Sequence, residues 1–148
     1  VACTKDEHQM EFHFIESKLP RPLRLVYPQR FEEMADNWTK HSLFLTARMN
    51  GNLAGYLILS IDYDTRIATI TDLVVNTPTR NQGIASGMVI SVLNGLRNKG
   101  LRKLSIAIPV RNHAAISLVK RLKMDFNGFI DHYFINQDGA LIFTMAIR

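Results

Sequence analysis

Asp72-Leu73-Val74-Val75-Asn76-Thr77-Pro78-Thr79-Arg80-Asn81-Gln82-Gly83-Ile84-Ala85-Ser86 is the stretch on which the fold turns. Residues 67–75 are rich in β-branched side chains and read as a central strand. From Ile84 the period becomes helical, with Ile84, Met88, Val92 and Leu96 at steps of four, joined by Ala85, Val89 and Leu93. A loop containing Gly83 therefore delivers a strand into a helix N-terminus. The first N–H groups of a helix lack internal partners and, with the helix dipole, favour an anion by ~0.3–1 kcal/mol at exposed sites. Gly83 permits close backbone approach, and Arg80 adds charge-assisted hydrogen bonds. A plain turn glycine before a helix would look the same. The nucleotide patterns GxxxxGK(S/T) and GxGxxG are absent from the sequence.

Downstream, Gly100 is expected to end the helix, and residues 101–108 form a short buried strand that stops at Pro109. Strand, helix and strand make one crossover, expected to be right-handed. Residues 112–123 form a second helix with Ala115, Leu118, Val119 and Leu122 on one face, and closing strands at 126–134 and 140–147 flank Asn136-Gln137-Asp138-Gly139. Upstream, Asn50-Gly51 predicts a hairpin between strands 43–49 and 53–63, because both central positions of a type I′ turn need positive φ. Asp62 and Asp64 mark the next turn. Residues 11–17 alternate as a strand ended by Pro20-Arg21-Pro22, and Phe31, Met34, Ala35 and Trp38 give residues 29–40 helical spacing. Strands 11–17, 43–49, 53–63 and 67–75 read as consecutive antiparallel strands. The expected class is α/β (α+β): a mixed, mainly antiparallel sheet of six to seven strands flanked by helices, in one domain spanning residues 1–148.

At 148 residues the chain buries roughly 70% of its unfolded surface. With 47% apolar and 21% charged residues, neither disorder nor a fibrous chain fits. Cys3 is the single cysteine, which rules out an internal disulfide and a cysteine zinc cluster, and points to a reducing, cytoplasmic compartment. No run of about 18 apolar residues and no N-terminal signal core is present, so no membrane role is expected. The missing initiator Met reads as a processed or trimmed chain. A net charge of +5 favours an anionic partner, and much of the excess (Lys99, Arg102, Lys103, Arg111, Lys120, Arg121, Lys123) lies in the last third. Such residues usually solvate a surface.

Arg80, Gly83 and Ala85 match R/Q-x-x-G-x-G/A, with Val75 five residues earlier at a strand end. This resembles the acetyl-CoA signature of the GNAT acyltransferases. Asn112-His113-Ala114-Ala115-Ile116-Ser117-Leu118 is similar to that family's N-x-x-A-x-x-L segment at the start of its last helix. The two segments and the strand order cover nearly the whole domain. The resemblance implies acetyl-CoA as cosubstrate and no metal. Backbone groups of Leu73, Val74 and Val75 would pair with the pantetheine arm, and Arg80, Asn81, Gln82, Gly83, Ile84, Ala85 and Ser86 would hold the pyrophosphate. Asn112 would contact the cofactor arm or order the strand ends, and Lys120 is a candidate for the 3′-phosphate.

Acyl transfer to an amine needs a neutral nucleophile, and an amine of pKa ~10.4 is neutral about once in 10³ molecules at pH 7. A base is therefore expected. Asp72 interrupts an apolar strand and matches the acidic residue often found there in the family; a strand-end carboxylate satisfied by backbone amides is the plain alternative. His113, Asp131, His132 and Tyr133 are weaker candidates, with Tyr133 or Ser117 as a hydroxyl able to assist thiolate release. That role usually falls to a Tyr directly after N-x-x-A-x-x-L, where this chain has Val119; the Gly-Phe that often ends the helix is here Lys123-Met124.

His8, His13, His41, His113 and His132 show no metal spacing, and Cys3 has no partner for nucleophilic work. Phe12, Phe14, Trp38, Phe44 and Tyr56 suit a core or an acceptor-pocket wall. The expected activity is transfer of an acetyl group from CoA to a primary amine of a small molecule or peptide, by direct attack in a ternary complex. A non-catalytic acyl-CoA-binding module is the alternative. A nucleic-acid-binding domain fits the charge, but no motif for one is visible and no nucleic-acid partner is expected. Glu32, Glu33 and Asp36 could attract a cationic acceptor, and exposed sheet edges fit a homodimer.

Overall fold

The computed structural model describes residues 2–5, 10–13 and 43–148. A six-stranded sheet is built from β3 (Leu43–Met49), β4 (Asn52–Asp62), β5 (Ile67–Val75), β6 (Lys103–Pro109), β7 (Asp125–Ile130) and β8 (Ala140–Ala146), in the order β3-β4-β5-β6-β8-β7. The helices α1 (Ile84–Leu96) and α2 (His113–Arg121) follow β5 and β6 respectively. β1 (Ala2–Lys5) and β2 (Met10–His13) form a separate antiparallel pair. The strand expected at 11–17 is thus described only through His13 and pairs outside the large sheet, so three consecutive antiparallel strands, not four, lead into the crossover. The expected helix at 29–40, with Trp38, Glu32, Glu33 and Asp36, lies outside the described residues.

Asn50 and Gly51 carry φ of 51° and 81°, as the type I′ turn requires, and Met49 pairs with Asn52 across it. Every pairing in the large sheet is antiparallel except that of β5 with β6, the two strands joined by α1. The apolar stripe of α1 faces the sheet, where Met88, Val89, Val92 and Leu96 join Leu57, Leu59, Ile70, Leu104, Ile106 and Ile108 in one core. α2 adds Val119, with Ala115, Ile116 and Leu122 packed around it.

Three expected boundaries shift. α1 ends at Leu96, one turn before Gly100, because Arg97 leaves the helical region and Asn98, which tolerates the left-handed conformation, takes φ 68°. β7 ends at Ile130, not at residue 134. The Asp131 carboxylate accepts the His132 N–H at 3.0 Å and His132 takes φ 49°, which turns the chain and puts His132 and Tyr133 on a loop. Finally, α2 closes in a Schellman arrangement, with Lys123 N–H bonded to Lys120 C=O and Met124 N–H to Val119 C=O, both at 3.0 Å. Lys123 (φ 56°) fills the position usually given to glycine, and buried Met124 supplies the apolar contact.

Candidate active site

β5 and β6 pair only from Ile67↔Lys103 to Ile70↔Ile106. Beyond that, β5 continues against β4 as far as Val75, while β6 continues against β8 as far as Pro109. The sheet therefore parts between residues 71–75 and 107–109. Main-chain groups along the parted edge of β5 are open to an added strand-like ligand. Leu73, Val74 and Val75 all lie on this edge.

Within β5, Ile70 pairs with Leu59 and Asp72 with Ile58, so Thr71 is an extra residue in a bulge. The bulge reverses the alternation. Ala68 and Ile70 before it, and Leu73 and Val75 after it, all pack toward the core under α1. Asp72 is therefore turned to the opposite face, beside Ile58, and Tyr56 opposite Val74 lies on that face with Phe44, stacked on it at 5.8 Å. Without the extra residue, Asp72 would point into the hydrocarbon core.

Asp72 is only 2% exposed, and neither carboxylate oxygen has a hydrogen-bond partner. Burial of the charge pushes its pKa up to about 6. The alternative of a carboxylate satisfied by backbone amides is not what the structure shows. A buried, unbonded carboxyl with its pKa raised to about 6 can exchange a proton near neutrality.

The chain leaves β5 into a turn anchored from below. The bulge in β3–β4 leaves Ala54 without a register partner, and its carbonyl accepts from Asn76 N–H at 2.8 Å and Thr79 Oγ1 at 3.2 Å. Thr77–Thr79 form one 3-10 turn, Arg80 is extended, and Asn81 and Gly83 follow at φ 61° and 80°. Gly83 is the N-cap of α1 and offers no side-chain acceptor; the first helical bond runs from Gly87 N–H to Gly83 C=O at 2.8 Å. The amides of Ile84, Ala85 and Ser86 are the orphan donors of this terminus. A Cβ at Gly83 would meet nothing within 4 Å, so the space beside these amides is open. Arg80 and Gln82 are exposed; Arg80 Nε donates to Val75 C=O at 3.1 Å, which fixes the guanidinium over the end of β5.

Asn112 caps α2, its Oδ1 accepting from Ala115 N–H at 3.1 Å. α2 starts where β6 ends, so this cap sits across the parted edge from the Gly83 turn. Lys120 is exposed in the last turn of α2, remote from that cap. Val119 is 1% exposed within the core, and Tyr133 is half exposed on the β7–β8 loop with its ring edge-on to Phe134 at 5.0 Å. Two contributors to the site were not singled out in the sequence: Thr71 and Gly55. A Cβ at Gly55 would lie 2.6 Å from Val74 O, so only glycine lets β4 approach the end of β5 this closely. Thr71 left a trace, since the apolar positions shift from even (Ala68, Ile70) to odd (Leu73, Val75) across it. No cluster of three or more His, Cys, Asp or Glu occurs among the described residues, and none of their helices is long and apolar enough to cross a membrane.

The model of the Acetyltransferase (GNAT) family matches residues 8–124. The chain belongs to the GNAT acetyltransferase family. A Bacillus subtilis (strain 168) protein, provisionally named as a ribosomal protein bS18-alanine N-acetyltransferase, is 28% identical over 135 residues, covering 83% of this chain and 88% of its own. Among solved structures, the ribosomal-protein-S18-alanine N-acetyltransferase of Escherichia coli superposes with a TM-score of 0.70 at 21% identity, over 82% of this chain and 79% of that one. A GNAT acetyltransferase of Elizabethkingia anophelis with acetyl-CoA bound superposes with a TM-score of 0.70 at 18% identity, over 79% and 83% of the two chains. These structures share the GNAT fold, and family membership makes the chain an N-acyltransferase. Arg80, Gly83 and Ala85 fall on the turn that enters α1, at the end of the parted strands.

Proposed function

We propose that this GNAT enzyme transfers the acetyl group of acetyl-CoA to a primary α-amine, with the N-terminus of a peptide as acceptor. The observation that carries the reading is the parting of β5 from β6 beside an α1 terminus whose amides lack acceptors. Arg80, Asn81, Gln82, Gly83, Ile84, Ala85 and Ser86 hold the pyrophosphate, residues 73–75 bind the pantetheine amides as an added strand, and Asn112 borders the arm from α2. The thioester supplied by the cofactor is the acyl donor. The amine lone pair attacks the thioester carbonyl, the N–C bond forms as the C–S bond breaks, and the ammonium proton passes to Asp72 directly or through water. Tyr133, Ser117 or solvent protonates the thiolate, because Val119 lies in the core and has no proton to give.

The pKa of Asp72 favours an α-amine over a lysine. An α-ammonium of pKa ~7.7–8.0 lies about two units above a base near 6, whereas a lysine ammonium of ~10.4 lies more than four units above it. The names of the Bacillus and Escherichia relatives point to alanine at a protein N-terminus, which makes an Ala-initiated peptide the first acceptor to try. Calorimetry with acetyl-CoA, followed by CoA-release assays with an Ala-initiated peptide, its N-blocked lysine-containing counterpart and spermidine, tests both parts. Saturable acetyl-CoA binding with turnover on the free α-amine is expected. Absence of binding at high micromolar acetyl-CoA would remove the cofactor assignment, and turnover on the blocked peptide or spermidine alone would remove the α-amine.

A further inference from the structure

The fold sorts the charges of residues 43–148 to two ends. At the end of the sheet where β5 and β6 begin, the strand termini present Arg66, Arg102, Lys103 and Arg148. The helix layer adds Arg97 and Lys99 just past α1, and Lys120, Arg121 and Lys123 at the end of α2. All nine are exposed, and only Arg48, Arg80 and Arg111 of this region lie at the cofactor end. The backbone binds these segments together: Arg102 N–H donates to Arg66 C=O at 2.8 Å, Ile147 N–H to Arg102 C=O at 2.9 Å, and Arg102 Nη2 to Thr65 C=O at 3.3 Å. Among residues 43–148 the facing carboxylates are few: Asp62 at the end of β4, Asp64 in the turn after it, and Asp125 at the start of β7. Asp62 is already occupied by the amides of Asp64 and Thr65. Among the described residues none of the nine cations forms an ion pair; the pair Arg111–Asp138, and the contact of His132 with Asp131, lie at the other end.

We propose that this basic end is a docking surface for the phosphodiester backbone of a nucleic acid, separate from the acetyl-transfer site. Three adjacent strand termini, those of β5, β6 and β8, at ~4.8 Å spacing span about 10 Å, a length over which one strand of a duplex presents about three phosphates, and the cations at the ends of α1 and α2 widen the surface. Exposed, unpaired Lys and Arg on well-bonded backbone are the donors that backbone recognition uses. Insertion into an anionic lipid surface draws on apolar side chains among the cations, and here Tyr63 in the β4–β5 turn is the one large exposed apolar residue at the basic end among the described residues. Leu53, Phe129, Ile130, Tyr133 and Ile135 lie toward the cofactor end, and Phe44 and Ile90 lie midway along β3–β4 and α1. Purely electrostatic attraction to lipid is the outcome that the vesicle arm of the test separates. The lack of a nucleic-acid motif in the sequence bears on base readout; backbone binding needs only the charge, and it is the fold that gathers the charge.

The test uses the full chain, a 20-nucleotide single-stranded RNA, the DNA of the same sequence and phosphatidylserine vesicles, followed by fluorescence anisotropy or co-sedimentation across 50–200 mM salt. Micromolar RNA binding is expected, with log K falling against log salt at a slope of about −3.5 for about five neutralised phosphates. Equal binding of DNA assigns the contact to the shared backbone, and tighter RNA binding adds a 2′-hydroxyl contact. The triple substitution Lys99→Gln, Lys103→Gln and Arg121→Gln should weaken RNA about tenfold or more and flatten the slope by about 2 while leaving acetyl-CoA affinity and Tm unchanged. RNA binding that is absent, insensitive to salt or equal in the triple variant, or vesicles that bind as tightly as RNA, would overturn the proposal without touching the cofactor site.

Discussion

Because burial holds Asp72 near a pKa of 6, above the 3.8 of a free carboxylate, its charge changes within an assayable range. The protonated form is favoured in the fold, so the stability tied to this group is full below about pH 4 and is lost as pH rises to 6. Above pH 6 the loss is about 3 kcal/mol for the roughly two-unit shift. Asp72→Asn removes that penalty: its Tm should exceed that of the parent at pH 7.5 and converge with it near pH 4. As the proposed base, the same substitution should lower kcat/KM by about 10²–10⁴ and abolish the rise in rate through pH 6, with acetyl-CoA affinity within about twofold. Gly83, at φ 80°, makes a second case. Gly83→Ala should cost about 1 kcal/mol in urea unfolding, because an L-residue is strained there. Its methyl group also intrudes on the open space beside the orphan amides, so acetyl-CoA should bind at least about tenfold more weakly. Both residues could be singled out in the sequence, Asp72 as a charge in an apolar strand and Gly83 as a glycine before a helical period. What the sequence did not disclose was the face on which Asp72 sits, because that depends on the Thr71 bulge, a backbone event with only a one-residue phase shift as its trace.

The helix boundaries show how local chemistry competes with pattern. The sequence leaves Asn112 to contact the cofactor arm or to order the strand ends, and the structure makes it the N-cap of α2. Asn112→Ala should cost about 1 kcal/mol in urea unfolding, and any change in acetyl-CoA affinity beyond about twofold would measure its separate contact with the arm. At the other end, Lys123 occupies a left-handed position at φ 56° that glycine would fill without strain. Lys123→Gly should therefore stabilise the protein by about 0.5–1 kcal/mol, read as a rise in urea midpoint at constant m. The apparent departure from Gly-Phe is thus a substitution in kind, with strain at Lys123 and burial at Met124. β5, both helices and the Asn50-Gly51 hairpin were legible because periodicity and turn chemistry agreed there. The ends of α1 and β7 were not, because Asn98 and the Asp131 side chain decided them through hydrogen bonds and a positive φ that no periodicity reports.

For the whole molecule, the mixed, mainly antiparallel sheet followed from the strand–helix–strand order, whereas the length of the β5–β6 ladder did not. Four paired residues followed by divergence is a property of how β4 and β8 pull the two strands apart, and no single residue encodes it. The same holds for charge: +5 spread along a sequence looks like solvation, and only the parallel crossover brings nine cations to one end. Catalysis at one end and polyanion binding at the other would let the enzyme sit on a nucleic-acid surface with its cleft free for a protruding peptide. The main-chain amides at the α1 terminus are directly observable by amide-resolved hydrogen exchange with and without acetyl-CoA. Protection concentrated at residues 73–75 and 81–86, lost in Gly83→Ala, is the predicted result; unchanged exchange there, or protection confined to another part of the molecule, would contradict it.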